Sequence, residues 1–89
     1  MSDDRLRSAS ETLRDASAAA EDAELQRRLY DLSDRLAALA AGENEPDGDE
    51  LMQQLHALGD LREATSDEVS ERVDDALESV RERREELED

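Results

Sequence analysis

The chain contains no cysteine, lysine, phenylalanine or tryptophan, and only one proline, one histidine and one tyrosine among its 89 residues. Without cysteine it has neither disulfides nor thiolate metal ligands to reinforce so short a fold. With Tyr30 as the only aromatic side chain, the core has to be leucine, valine and alanine. A nucleophilic triad would depend on the single histidine, His56. We therefore expect a thin aliphatic core, which self-association would help to complete.

Long apolar stretches are also missing. No run of about 18 apolar residues occurs, which excludes an ordinary membrane-spanning helix. The first twenty residues carry seven charged side chains, so we expect no apolar signal region there. These features predict a soluble, cytoplasmic protein with no membrane partner.

Charge of one sign dominates the chain. Twenty-seven acids against eleven bases give a net charge of −16, and every base is arginine. Such a surface repels itself in low salt, whereas in molar salt the Debye length falls to about 3 Å. Excess acid without lysine resembles proteins of salt-loving archaea. A GC-rich genome alone would explain the missing lysine but not the acids. No basic cluster suits nucleic acid, so we expect none as a partner.

Apolar residues recur at spacings of three and four along four segments, a pattern typical of amphipathic helices. The four stripes are Leu6, Ala9, Leu13, Ala16 and Ala20; Leu25, Leu29, Leu32, Leu36 and Leu39; Leu51, Leu55, Leu58 and Leu61; and Val69, Val73, Ala76 and Val80. They predict helices over residues 3–20, 23–41, 48–64 and 67–86. Short connections favour an all-α, up-down-up-down antiparallel four-helix bundle. We expect residues 1–89 to form a single helical domain.

Polar residues and glycines mark two of the helix boundaries clearly. Asp22 is suited to cap the second helix, and Gly42 stands where a glycine commonly follows a helix end. An acidic loop over residues 42–49 carries the only proline. At its end Asp47 and Glu50 form a capping-box pair for the third helix.

The other boundaries lack glycine and proline. Between the first two helices the evidence is a change in stripe phase near residues 20–24. Before the fourth helix, Thr65 and Glu68 form a second capping-box pair, with Ser66 as another candidate cap. The sequence leaves open whether the helices on either side of these boundaries are partly continuous.

Two groups of acidic residues are candidate ligands for a metal ion. In the acidic loop, placing Gly48 at the sixth position of an EF-hand puts Gln54 where a bidentate glutamate is required, so a solvated turn is preferred. The second group consists of pairs at helical spacing: Glu68 with Glu71, Glu71 with Asp74, and Glu82 with Glu85. All-helical nucleotide pyrophosphohydrolases hold Mg²⁺ with such pairs, which makes a magnesium-dependent hydrolase one alternative function. The inward stripe of the fourth helix is valine and alanine, so we expect these carboxylates to lie outside the core. No catalytic, cofactor or metal residue is therefore assigned.

Two further polar features are expected to be structural. His56 lies one position beyond the leucine stripe and four before Asp60, which predicts a partly exposed histidine paired with that aspartate. Arg81, Arg83 and Arg84 alternate with glutamates, which predicts a solvated helix end.

Three apolar residues lie off the main stripes: Tyr30, Met52 and Leu77. One explanation is that they widen the intramolecular core, because globular helices carry three to four apolar positions per two turns. The other is a second face for a partner, where tyrosine and methionine are common. These three residues are our candidate interface.

The segments at 6–16 (Leu-x-x-Ala-Ser-x-x-Leu-Arg-x-Ala) and 28–37 (Arg-Leu-Tyr-Asp-Leu-Ser-Asp-Arg-Leu-Ala) resemble a family of short, uncharacterised haloarchaeal proteins. Pro-Asp at 46–47, Leu-His-Ala-Leu at 55–58 and the late Val-Arg-x-Arg-Arg-Glu fit the same outline, so the resemblance spans nearly the whole chain. Members often carry His, Gly and Arg after the Pro-Asp, where this chain has Gly48, Asp49 and Glu50. The resemblance implies source and fold, and no activity.

Together these observations predict a non-enzymatic helical interaction module that forms a homodimer in a high-salt cytoplasm. The magnesium-dependent hydrolase is one alternative. An acidic mimic of nucleic acid that occupies a basic groove on another protein is the second.

Overall fold

The computed structural model describes residues 4–42, 47–65 and 67–88, apart from the side chains of Asp67 and Glu88. These residues form four helices: α1 (Asp4–Ala19), α2 (Ala23–Ala41), α3 (Gly48–Ala64) and α4 (Asp67–Glu88). No strand occurs in the described ranges. The predicted all-α four-helix bundle is confirmed, with α4 extending two residues beyond its predicted end.

Packing in the bundle is uneven. Helix α1 packs closely against α2 and α4, and α3 packs against α4, whereas α2 and α3 make only sparse contacts. Neighbouring helices are antiparallel: the Ser10 hydroxyl donates to the Ser33 carbonyl at 2.7 Å, and Arg5 pairs with Glu82. The order around the bundle is therefore α2, α1, α4, α3. Two helical hairpins join mainly through α1 and α4, within an overall size of 37 × 19 × 16 Å.

The cores of α1 and α4 follow the predicted stripes. Their buried apolar residues are Leu6, Ala9, Leu13, Ala16, Val69, Val73, Ala76 and Val80. Each fully buried leucine or valine contributes about 1.5–3 kcal/mol of transfer free energy. Alanines at Ala9, Ala16 and Ala76 bring less area but let the two central helices approach closely.

The core face of α2 is rotated from the predicted one. Its buried residues are Leu29, Ser33, Leu36 and Ala40. Three leucines of the predicted stripe, Leu25, Leu32 and Leu39, are only partly buried. The reason is the arrangement of neighbours, because α1 covers one flank of α2 while α3 lies too far away to cover the other.

A similar shift occurs in α3. Gln54 is buried to 2% exposure on the same face as Leu51 and Leu58, whereas Leu55 is only partly buried. Leu55 packs against the edge of the core and also lines the open side between α3 and α4, so the buried face of α3 is wider than the predicted leucine stripe.

The helix caps agree with the sequence in part. The Asp22 carboxylate accepts a hydrogen bond from the Glu24 N–H at 2.8 Å, and the Asp47 carboxylate accepts one from the Asp49 N–H at 2.9 Å. Gly42 ends α2 as predicted, with an extended backbone (φ −65°, ψ 149°).

The boundary between α3 and α4 differs from expectation. Thr65 is the C-cap of α3, and its hydroxyl donates to the Arg62 carbonyl at 3.0 Å. Its side chain therefore finishes α3 instead of starting α4, and the two helices are separate elements. The alternative cap, Ser66, and residues 43–46 of the acidic loop lie outside the described residues.

Candidate functional site

A broad open groove runs along the outer side of α3 and α4, with a volume of about 920 Å³. Its floor is apolar and its rims are charged. The residues that line it include Met52, Leu55, Gly59, Asp60, Glu63, Leu77, Arg81 and Arg84. We call this feature the α3/α4 groove.

The floor of the α3/α4 groove brings together two of the three residues of the predicted interface. Met52 and Leu77 both line it, beside the partly buried Leu55. Gly59 lies between them in the middle of α3, and a Cβ built there would meet nothing within 4 Å. Glycine inside a helix costs about 1 kcal/mol relative to alanine. Packing within the chain therefore gives no reason for glycine at this position.

Charge is distributed unevenly along the α3/α4 groove. Arg62 pairs with Asp74 at 2.6 Å, which fixes the end of α3 beside the start of α4. The antiparallel course then places Arg81 and Arg84 beside the start of α3, near Met52. Glu85 also lines the end with these two arginines, and Arg62 lines the other end with Asp60 and Glu63, so the groove has an excess of base at one end and an excess of acid at the other.

His56 also lines the α3/α4 groove, and its side chain is exposed. Its exposure agrees with the prediction. The predicted pairing with Asp60 is not formed in this structure, which describes both side chains.

Tyr30, the third residue of the predicted interface, lies elsewhere. Its ring is 48% exposed on α2, and the guanidinium carbon of Arg14 lies 5.9 Å from the ring centroid. A cation over an aromatic face at this distance contributes about 0.5–1 kcal/mol at an exposed site. The structure therefore separates Tyr30 from Met52 and Leu77 and gives it a partner on α1.

The paired carboxylates of α4 lie outside the core. Glu68, Glu71 and Glu85 are exposed, while Asp74 pairs with Arg62 and Glu82 pairs with Arg5. Within the described ranges, no three histidine, aspartate or glutamate side chains converge in a way that could hold a metal ion.

The arginine-rich end of α4 is more ordered than predicted. Arg5 of α1 pairs with both Glu82 and Glu86, and Arg83 lies 3.7 Å from Glu86. The side chain of Arg83 is only 16% exposed. The predicted solvated helix end is found for Arg81, which is exposed, but not for Arg83, because the ion pairs with Arg5 join this end of α4 to the start of α1.

A second recess, which the sequence did not predict, lies between α2 and α3, where the two helices make only sparse contacts. It has a volume of about 220 Å³ and is lined by Arg28, Leu32, Ala57, Asp60 and Leu61. We call it the α2/α3 cleft. The signal that could have revealed it is a second set of residues at spacings of three and four on α2, displaced from the core stripe.

None of the described helices combines the length and apolar character needed to cross a membrane.

Comparison with known proteins places the chain in a family. A family model described as "Family of unknown function (DUF7553)" matches residues 1–86. No curated protein and no solved structure matches the chain. Because the family model spans nearly every residue, the expected membership in an uncharacterised family is confirmed. This chain belongs to the family of unknown function DUF7553.

Proposed function

We propose that this protein is a non-enzymatic helical interaction module that pairs with a second copy of itself through the α3/α4 groove. Its setting is the high-salt cytoplasm of a halophilic archaeon. The observation that carries the proposal is the distribution of charge along the groove. Apolar side chains form the floor, with an excess of base (Arg81 and Arg84 against Glu85) at one end and an excess of acid (Asp60 and Glu63 against Arg62) at the other.

Such a groove is complementary to itself. In a twofold dimer the same surface is used by both copies, so any residue that contacts its counterpart is contacted in return. An antiparallel arrangement of two grooves sets Arg81 and Arg84 of each copy against Asp60 and Glu63 of the other. Leu77 then lies nearer the centre, and Met52 at the basic end of one copy faces the acidic end of the other, so that apolar area is removed from water along the groove.

Gly59 supports the same arrangement. A mid-helix glycine with open space over its α-carbon is unfavourable in the isolated chain. The absence of a Cβ lets another backbone approach closely, as small residues do at tightly packed helix interfaces. A partner helix that crossed at Gly59 would explain why glycine occupies this position, which packing within the single chain does not explain.

The charge and composition support the high-salt setting. A surface of −16 opposes the association of two copies in dilute buffer. Molar potassium chloride shortens the Debye length to about 3 Å, so only charges in contact still interact appreciably. Pairing through an apolar floor with matched ends is compatible with that solvent.

Light scattering in molar potassium chloride tests the pairing. We expect a mass of twice the 10.0 kDa chain at high concentration and dissociation on dilution. Met52→Glu should abolish the dimer, because it buries a charge among the apolar side chains of the interface. Tyr30→Glu makes the same kind of change on the other side of the bundle and should leave the dimer intact. A 10 kDa species at every concentration would overturn the proposal.

Two further variants separate the contributions to pairing. Gly59→Ala should raise the stability of the monomer while weakening the dimer, which simple helix stabilisation would not do. The chain carrying Arg81→Glu and Arg84→Glu should pair poorly with itself but well with the chain carrying Asp60→Arg and Glu63→Arg. If the two charge variants do not prefer each other at tenths-molar salt, the antiparallel arrangement is wrong.

A further inference from the structure

The single histidine of the chain, His56, lies inside the α3/α4 groove with its side chain exposed. Its imidazole makes no ion pair with any residue that the structure describes. Histidine is the side chain whose charge ordinarily changes between about pH 5 and 8. The groove therefore contains one position whose charge responds to mild changes of pH.

His56 belongs to the end of the groove that has the excess of base. Arg62 of α3 pairs with Asp74 of α4 at 2.6 Å, and this pair fixes how the two antiparallel helices are aligned. Counting the same number of residues from the pair along both helices, which rise about 1.5 Å per residue, brings Arg81 level with Leu55. His56 is the next residue of α3, so it lies almost level with Arg81 on the opposite wall of the groove.

The charges at the two ends of the groove do not balance. The charged groups that line it with His56 are Asp60, Arg62 and Glu63 on α3 and Arg81, Arg84 and Glu85 on α4. Arg62 is already neutralised by Asp74, whereas Asp60 and Glu63 make no ion pair in the described ranges. The acidic end thus presents two negative charges, and the basic end presents one positive charge in excess because Glu85 offsets one arginine. When two such ends meet, one positive charge is missing.

The proposed dimer, on which this inference rests, brings His56 to the place where that charge is missing. A twofold axis that runs across the groove reverses its direction and sets α3 of one copy against α3 of the other, near Gly59. If Asp60 of one copy is level with Arg81 of the other, the axis passes between residues 57 and 58 of α3. Asp60 of one copy is then within about 1.5 Å of the level of His56 of the other, measured along the helix. The symmetry gives two such contacts in each dimer.

We infer that protonation of His56 tightens the pairing of two copies, through contact between each imidazolium and Asp60 of the other copy. The two histidines are about 4.5 Å apart along the helix, three times the offset to the acid, so attraction to Asp60 exceeds their mutual repulsion. Pairing therefore takes up protons. The added affinity is present below the range in which histidine titrates, and it is lost as the pH rises through that range.

The dissociation constant of the dimer at about pH 8 and about pH 6 tests this inference. Light scattering over a dilution series gives the constant. Potassium chloride is kept molar, so that long-range repulsion is screened while charges in contact still interact. We expect the dimer to be about threefold tighter or more at the lower pH, because two exposed pairs gain a charge. Ordinary carboxylates stay ionised over this range.

Three variants assign the effect to His56. His56→Gln should pair equally at both pH values, with the affinity of the unmodified protein at the higher pH. The chain carrying His56→Gln and Gln53→His keeps one histidine but moves it to an exposed position outside the groove, and it should behave in the same way. His56→Arg carries a permanent charge and should pair tightly at both pH values.

The results separate this inference from the dimer itself. A dimer whose affinity is independent of pH, falls on acidification, or responds to pH equally in His56→Gln would overturn the inference and leave the dimer standing. A 10.0 kDa species at every pH and concentration, in the His56→Arg chain as well, would overturn both.

Discussion

At the scale of single residues, the notable feature is polar atoms buried without partners. Ser33 is fully buried and Gln54 is 2% exposed, and the Ser33 hydroxyl oxygen and the Gln54 side-chain carbonyl oxygen have no hydrogen-bond partner in the structure. A buried acceptor without a donor costs about 1–3 kcal/mol of stability. The core therefore carries a penalty that an all-leucine stripe would not.

Gln54→Leu should consequently stabilise the protein. Removing the unpaired oxygen and filling the site with apolar atoms should raise the free energy of unfolding by about 1–2 kcal/mol. Urea unfolding monitored by circular dichroism measures the change. Gln53→Leu alters the neighbouring exposed residue in the same way and should stay within about 0.5 kcal/mol of the original. If both substitutions have the same effect, the buried oxygen is not the cause.

At the scale of helices, the position of a neighbour decides which flank of an amphipathic helix is buried. Helix α2 has five leucines within its 19 residues, and only Leu29 and Leu36 are fully covered. Leu25, Leu32 and Leu39 are only partly buried, and Leu32 lines the α2/α3 cleft. The same leucine pattern thus serves both the core and an open flank.

Alanine substitutions along α2 should show this division. Leu36→Ala should lower the free energy of unfolding by about 2–5 kcal/mol, because it leaves a cavity in a closed core. Leu32→Ala should cost about 1 kcal/mol, since its side chain is already partly in water. Urea midpoints of the two variants provide the comparison. Equal losses would mean that the cleft is closed in solution.

The sequence was sufficient to predict the four helices and most of their bounds, because leucine spacing and acidic caps act locally. It predicted the inward faces of α1 and α4 for the same reason. It did not predict the burial of Ser33 and Gln54, because polar residues carry no signal in an apolar pattern. The rotation of α2 was also missed, since it follows from the separation of α2 and α3, which only the folded arrangement determines.

The candidate site was predictable to a similar extent. Met52 and Leu77 were identified as apolar residues off the main stripes, and the structure brings them together. Tyr30 was selected by the same rule but lies against Arg14, because a helical pattern records the face of a residue on its own helix and not which neighbour it meets. The charged ends of the α3/α4 groove depend on the antiparallel course of two helices, so they were visible only after the fold was known.

At the scale of the whole molecule, net charge and a thin core act against each other. A bundle of 37 × 19 × 16 Å carrying a charge of −16 concentrates like charges on a small surface. Self-repulsion favours expansion, and added salt screens it. The ionic strength of the solvent therefore contributes to the stability of this fold.

The melting temperature should rise as potassium chloride increases from tenths-molar to molar, by about 10 °C or more if screening recovers a few kcal/mol. Calorimetry across the series measures the slope. A variant with four exposed acids made neutral (Glu21→Gln, Asp31→Asn, Glu71→Gln and Glu78→Gln) should show a shallower slope. These side chains make no ion pair with described residues, so their removal acts through net charge. A slope unchanged in the variant would assign the effect to salt-strengthened apolar burial instead.

The close packing of α1 against α4 has a consequence for the order in which the fold assembles. Each hairpin gathers its contacts from neighbouring parts of the chain, whereas the pair of Arg5 and Glu82 joins positions 77 residues apart. Closing so long a segment costs conformational entropy that only the contacts formed at the end of the closure can offset. Helices α2 and α3 contribute few contacts between the two hairpins. We therefore expect each hairpin to form early, and the packing of α1 against α4 to be the later step that joins them.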